Sequence, residues 1–366
     1  MDFAFTDEQE ELRRTVRALF ADTSGEAEVR RLMETDAGFD AAAWKQLAEL
    51  GLLGLAIPEE HGGAGYGLLE VGVVLEEAGR ALLCAPYFSS VVLATTTLLL
   101  AGDTGHLPAL ADGTLTATLA LTEDPVRWDA EGIRATATPS GDGWVLDGEK
   151  TFVLDGHTAG LLIVAARTAG GVSLFTTAGD APGLTRTRVD TLDPTRRLAT
   201  VRLSSVPATL LGVDGDGWAV IEQVLDVAAT ALAAEQVGGA AKVLEMAVDY
   251  AKVREQFGRP IGSFQAIKHM CADMLLEVES ARSAAYYALW AAATRSDELP
   301  VVASIAKAYC SDAFYHCAAK NIQVHGGIGF TWEHPAHLYL KRAKADQLLF
   351  GDPAWHLDQL ADRAGI

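Results

Sequence analysis

The sequence is short of positive charge: 29 lysines and arginines face 49 acidic residues, a formal net charge of −20. Such a surface repels nucleic acid and anionic lipid, so neither is expected as a partner, and an anionic ligand needs donors of its own. Cysteine is scarce too. Cys84, Cys271, Cys310 and Cys317 form no CxxC or zinc-type spacing and sit in apolar helical contexts. That fits buried thiols in a reducing cytoplasm, and no metal site. No apolar run reaches the roughly 18–20 residues expected of a membrane span. The acidic N-terminus, MDFAFTDEQEEL, lacks the basic and apolar regions of a secretory signal. P-loop, Rossmann glycine run and Ser-His-Asp elbow are all missing. His325, His334 and His337 lie close in sequence, but 334/337 is poor metal spacing, and they read as surface or turn histidines. What remains is a cytoplasmic globular composition, 49% hydrophobic and 21% charged over 366 residues, enough for about two or three packed units.

The chain opens helical. Thr6 to Gln9 has the form of a capping box, followed by Val16 and Phe20 on one helical face. Trp44, Leu47 and Leu50 make a second stripe, stopped by Gly51, and Pro58 with a run of glycines keeps 54–67 irregular. Helical pattern resumes over 68–79 and 89–101, with Pro86 between. From about residue 113 short β-prone runs alternate with turns at Ser140–Gly143 and Asp147-Gly148. Eight or so strands in about 95 residues predict a small antiparallel barrel or sandwich. From Trp218 the pattern is helical again, with long alanine-rich helices to about Gln256, then at 263–295, 301–324, 334–349 and 354–363. Lengths of about 30–40 residues predict an up-down bundle, and Gly238-Gly239 marks close helix packing. The expected class is α+β, mostly α. It divides into a helical domain (1–112), a middle β domain (113–208) and a four-helix bundle (209–366).

One stretch, Asp249 to Gln265, concentrates candidate chemistry. A helix ends there at Gly258 and Pro260, and a new one opens at Ser263, whose hydroxyl can cap it. Arg254, Phe257 and Gln265 bring a fixed cation, an aromatic and an amide to that corner, a set suited to the phosphates and adenine of a nucleotide.

Five strings, in order, resemble the acyl-CoA dehydrogenase family. They are GLLGLAIPEEHGG at 51–63, ALTE at 120–123, DGEK at 147–150, REQFGRPIG at 254–262 with Gln265, and QVHGGIGF at 323–330. The resemblance implies a flavoprotein with FAD that oxidises an acyl-CoA thioester to its 2,3-enoyl form. A carboxylate removes the α-proton, the β-hydrogen leaves as hydride, and hydrogen bonds polarise the thioester carbonyl. It also implies a tetramer whose FAD sites are shared across subunits. One subunit supplies the flavin pocket, and its neighbour grips the ADP half through positions matching Arg254, Phe257, Gln265, Gln323, Gly326 and Gly327. The chemistry agrees. Arg254 offers a planar fork to pyrophosphate, the glycines admit close backbone approach, and the two glutamines can donate and accept at adenosine edges.

The flavin half departs from the family pattern. Where the family has Pro-x-Ala-Gly-Ser-Asp, this chain has Asp124-Pro-Val-Arg-Trp-Asp129, and where it has Trp-Ile-Ser/Thr, this chain has Phe152, Val153 and Leu154. The catalytic base is missing. Its usual position, 27 residues after Gln323, is Phe350, and the alternative, 26 before Arg254, is Ala228. Asp352 is a weak candidate for a displaced base but also fits the N-cap of the last helix, ahead of Pro353. Asp226 is expected to face about 200° away from position 228, and Glu235 to pair with an arginine.

Intact donors in trans and altered groups in cis resemble the non-catalytic subunit of heteromeric, steroid-side-chain acyl-CoA dehydrogenases. The expected role is to complete the FAD site of a second family subunit in a heterotetramer, with electron-transfer flavoprotein as acceptor. Two alternatives stay open: a self-sufficient homo-oligomer with a displaced base, and a non-redox acyl-thioester binding protein.

Overall fold

The computed structural model describes residues 5–365. Four helices come early: α1 (Asp7–Thr23), α2 (Glu26–Leu32), α3 (Ala41–Glu49) and α4 (Leu68–Ala81). The predicted capping box opens α1, with Gln9 N donating to Thr6 Oγ1 and Thr6 N to Gln9 Oε1. Trp44 and Leu47 are buried on α3, but Leu50 lies past its end and is exposed. The segment expected as one helix over 89–101 is a π-helical turn, Phe88–Ala94, running into α5 (Thr95–Ala101). The short α6 (Leu107–Ala111) follows.

The strands are β1 (Ala117–Ala120), β2 (Thr136–Ser140), β3 (Gly143–Leu154), β4 (Leu161–Arg167), β5 (Val172–Ala178), β6 (Leu184–Val189) and β7 (Leu198–Leu211). They form one seven-stranded sheet in the order β1-β4-β2-β3-β7-β5, with β6 on β7 and a β4–β5 pairing that closes a ring. Leu146, Leu162, Val164, Phe175, Val201 and Val206 fill it. The pairing is mostly antiparallel as expected, but β1 runs parallel to β4. Asp147-Gly148 is not a turn. β3 passes straight through it with a register shift against β7, because Gly148 (φ 140°) presses on the Ala135 backbone.

The remaining helices are α7 (Gly217–Val253), α8 (Gln265–Ala293), α9 (Leu299–His325), α10 (Ala336–Leu348) and α11 (Pro353–Ala364). By length and composition α7 could cross a membrane, contrary to the reading of apolar runs, yet 67% of its apolar window is buried inside the protein.

Contacts divide the chain into two compact units. One holds residues 1–31, 68–83 and 229–366, the other 32–67 and 84–228. In the first, two glycines set the crossing of α4 and α7. A Cβ on Gly79 would fall on the Glu235 carbonyl, and one on Gly238 on that of Glu76. Gly239 faces the Phe314 ring. Close packing at Gly238-Gly239 is therefore met, and Ala233 of the alanine-rich α7 lies in the bundle core with Ala281, Ala285 and Ala306 of the neighbouring helices. Buried Glu76 and Glu77 of α4 are matched by arginines of α1 and α8. Arg13, Arg282 and Tyr286 reach Glu76, and Arg17 holds Glu77 through two bonds of 2.8 and 2.7 Å. Gly238→Ala is expected to cost about 1–3 kcal/mol by overpacking, read as a lower denaturant midpoint. An unchanged midpoint would mean the α4 and α7 backbones do not touch.

Candidate functional site

The corner at 249–265 is built differently from the sequence expectation. α7 stops at Val253, and β8 (Glu255–Gln256) and β9 (Arg259–Pro260) form a two-residue hairpin. Its tip, Phe257 and Gly258, takes φ of 52° and 74°, the left-handed pair that a type I′ turn requires. Ser263 is no cap. It closes a 3₁₀ turn, and Phe264 stands at the N-cap of α8 without a side-chain bond. Phe264 is held instead by the Arg259 guanidinium 4.1 Å above it and by the edge of Phe257 at 6.1 Å.

The six predicted grip residues converge on one end of the helical unit. Cys310 bonds to the Ala281 carbonyl and Cys317 to that of Met274, so seven residues up α9 match seven down α8. Continued by one more such step, that register brings Val324 level with Ile267, so the end of α9 lies at the start of α8. Tyr250 stacks on His325 at 4.3 Å, joining the end of α7, and with it Arg254, to the same place. Arg254, Gln265, Gln323, Gly326 and Gly327 are exposed, and Phe257 is 94% exposed. Among the described residues the Arg254 guanidinium makes no hydrogen bond or ion pair. A Cβ on Gly326 (φ 63°) or Gly327 would meet nothing within 4 Å, so both line an open cradle. Phe330 and Trp332, 77% and 62% exposed, extend this face as apolar surface. An unpaired fork, an aromatic, two amides and a side-chain-free turn fit a nucleotide diphosphate.

The positions matching the base offer no proton acceptor. Ala228 is buried, and so is Phe350, in a left-handed conformation (φ 60°). The turn around Phe350 is locked by its carbonyls. His356 Nε2 donates to Phe350 O at 3.0 Å, and buried Lys307 donates to Gly351 O at 3.0 Å. Burial pushes the Lys307 ammonium down to about 8 despite Asp346, and burial with Lys307 pushes His356 down to about 3. The sequence reading missed Lys307, although a lysine within an alanine-rich helical run was a visible signal. Asp352 is the N-cap of α11, accepting from Trp355 N at 2.8 Å. Asp352→Ala is expected to cost about 1 kcal/mol of stability, seen in a thermal melt. Glu235 is buried and paired with Arg342 at 2.7 Å, as expected. Asp226 is also buried.

In the β unit, Lys150 and Glu123 form a buried pair at 2.7 Å. Glu123 also accepts from the backbone of Arg134 and Ala135, and Lys150 donates to Leu121 O. Thr122 Oγ1 is taken up by Thr151 O, and the buried Leu154 stands where the family has a hydroxyl. Phe152 is half exposed at φ 53°. Thus Leu154 and Thr122 offer no free donor to a flavin ring along this edge.

Family models for the N-terminal, middle and C-terminal acyl-CoA dehydrogenase domains match residues 6–106, 118–205 and 215–365. The chain belongs to the acyl-CoA dehydrogenase family. Acyl-CoA dehydrogenase IpdE2 of Mycobacterium tuberculosis is 38% identical over 350 residues, 95% of this chain and 94% of that protein. A variant of the Tcur3481-Tcur3483 steroid ACAD superposes with a TM-score of 0.89 at 34% identity, covering 98% of both chains. The ChsE4-ChsE5 complex of M. tuberculosis gives 0.90 at 28% identity over 100% of this chain and 99% of that one. The dehydrogenase family's cofactor is FAD, and the cradle at Arg254 and Gly326 fits its diphosphate half.

Proposed function

We propose that this chain is the non-catalytic subunit of a heteromeric acyl-CoA dehydrogenase. It would complete, through Arg254, Phe257, Gln265, Gln323, Gly326 and Gly327, the FAD site of a partner subunit of the same family. The observation that carries the reading is Phe350: an apolar side chain stands at the base position on a turn held from both sides by Lys307 and His356. Asp352, two residues on, is engaged as a cap. The two-name relatives, Tcur3481-Tcur3483 and ChsE4-ChsE5, support a heteromer, and the steroid ACAD supports a steroid-side-chain acyl-CoA thioester as substrate.

When bound, FAD would supply the hydride acceptor, held in part by Arg254 and the Gly326-Gly327 turn, and electron-transfer flavoprotein is the proposed acceptor partner. This chain's part is binding and orientation. Arg254 would neutralise pyrophosphate with a planar fork of parallel donors. The turn at Gly326-Gly327 would present backbone to the cofactor, and the exposed Phe257, Phe330 and Trp332 would exclude water where subunits meet. Removal of the substrate α-proton falls to the partner.

Purification of this chain alone and together with a family subunit that carries the glutamate tests the proposal. Alone it is expected to hold no stoichiometric FAD and to show no acceptor-linked turnover, while the mixture shows both. Turnover by this chain alone would instead favour a homo-oligomer with a displaced base.

A further inference from the structure

Tyr250, His325 and His334 form a column of three rings that no chemistry above uses. Tyr250 stacks on His325 at 4.3 Å with 26° between planes, and His325 lies 4.2 Å from His334. Each end of the column carries part of the grip. Tyr250 is one helical turn before Arg254, whose backbone N donates to Tyr250 O at 2.9 Å. His325 directly precedes Gly326, and His334 stands just before α10, where the chain leaves the Gly326–Phe330 turn. We propose that this column positions the dinucleotide grip, fixing the glycine turn against Arg254, and that it does so only while both imidazoles are uncharged. The inference rests on the reading of the grip given above.

Hydrogen bonding sets the tautomers. His325 Nδ1 faces Asn321 O at 2.9 Å, so it carries the proton. His334 Nδ1 accepts from Ala336 N at 3.2 Å, so it carries none. Protonation of His334 at Nδ1 would break the bond that starts α10 and would set a cation against the face of His325. The charged groups around the column oppose this. His334 faces Arg30 and Glu26 from α2 and shares a cleft wall with Lys242 of α7 and Glu333. On α10, Lys341 adds a cation beside His337, whose own ring burial keeps uncharged. Glu26 favours a charged ring, and Glu333 and Glu77 are the other carboxylates of the cleft, Glu77 already held by Arg17. Burial holds both His325 and His334 below the ordinary histidine range. A lowered folded value means the column is intact above about pH 6.5 and is lost as pH falls through the folded values.

FAD retention by the flavin-loaded assembly is the test, measured by titrating released FAD fluorescence from pH 8 to pH 4.5. Wild type is expected to shed FAD as pH falls below the ordinary histidine range. His334→Phe keeps a ring but cannot titrate, so its retention should be flatter across that range. Tyr250→Leu and His334→Ala should weaken FAD binding at neutral pH on the order of three- to tenfold, the worth of an aromatic pair. Arg254→Ala serves as the reference. If it loses FAD while Tyr250→Leu and His334→Ala keep it, and His334→Phe retains the wild-type pH profile, the column has no positioning role although the grip stands. If Arg254→Ala also keeps FAD, the grip itself is misassigned and the inference falls with it. Thermal melts of each variant separate lost positioning from lost folding. Should His334→Ala unfold, Tyr250→Leu and His334→Phe decide together: weakened FAD binding in the first with a flatter profile in the second supports the column, and wild-type behaviour of both overturns it.

Discussion

Arg254→Ala is expected to strip FAD from the assembled enzyme while leaving this chain's fold intact. A charged hydrogen-bonding group contributes about 1.5–3 kcal/mol, so FAD affinity should fall on the order of 10- to 150-fold. Stability should stay within about 0.5 kcal/mol, because the guanidinium is exposed and leaves no partner behind among the described residues. Arg254→Lys should recover only part of the loss, since an ammonium cannot match a diphosphate with two parallel bonds. Equilibrium dialysis of FAD against the two variants, beside a melt of each, checks both halves of the statement. A large stability loss with unchanged FAD affinity would make Arg254 structural.

Lys150→Met should carry the largest stability cost in the β unit, about 3–5 kcal/mol, by leaving a buried carboxylate with only the exposed Arg134 guanidinium, 3.6 Å away, as a cation. Lys150 is fully buried, with its ammonium 2.7 Å from Glu123 and 3.1 Å from Leu121 O. A second change, Glu123→Leu, should restore part of the loss, because the penalty lies in the orphaned charge. The pH dependence carries a sign. Burial pushes Glu123 up, but the charge and hydrogen bond of Lys150 and two backbone amides more than offset it, so its pKa lies below the usual range. The pair's contribution is therefore present above the carboxylate range and fades as pH falls through the folded value. Wild type and Lys150→Met should converge in stability on acidification. Denaturant midpoints at several pH values would reveal it, and a constant gap would contradict it.

Much of this was legible because it rests on local chemistry. Thr6 and Gln9 cap a helix through bonds three residues apart, Asp352 with Pro353 opens one, and Gly238-Gly239 has no role in a long helix except close contact. The paired Glu235 followed from the cost of an unpaired buried charge. What escaped depended on groups distant in sequence. Asp147-Gly148 has a turn's composition, but Ala135 pressing on Gly148 makes it a bulge. The parallel β1–β4 pair joins strands separated by β2 and β3. Ser263 has a cap's composition, yet the Phe257-Gly258 hairpin and Arg259 reset where α8 begins. His337, read as a surface histidine, is buried beside Trp332, which with its neighbours drives it down to about 4 by burial and nearby cations. The grip residues were named from motif strings, but their convergence needed the antiparallel register of α8 and α9 and the Tyr250–His325 stack.

The most direct test of the central claim is the flavin content of the assembly of this chain with its catalytic partner. Absorbance of bound FAD against total protein should give one flavin for each pair of unlike chains, falling toward zero when Arg254→Ala is introduced in this chain only. One flavin for every chain, retained after Arg254→Ala, would contradict the account.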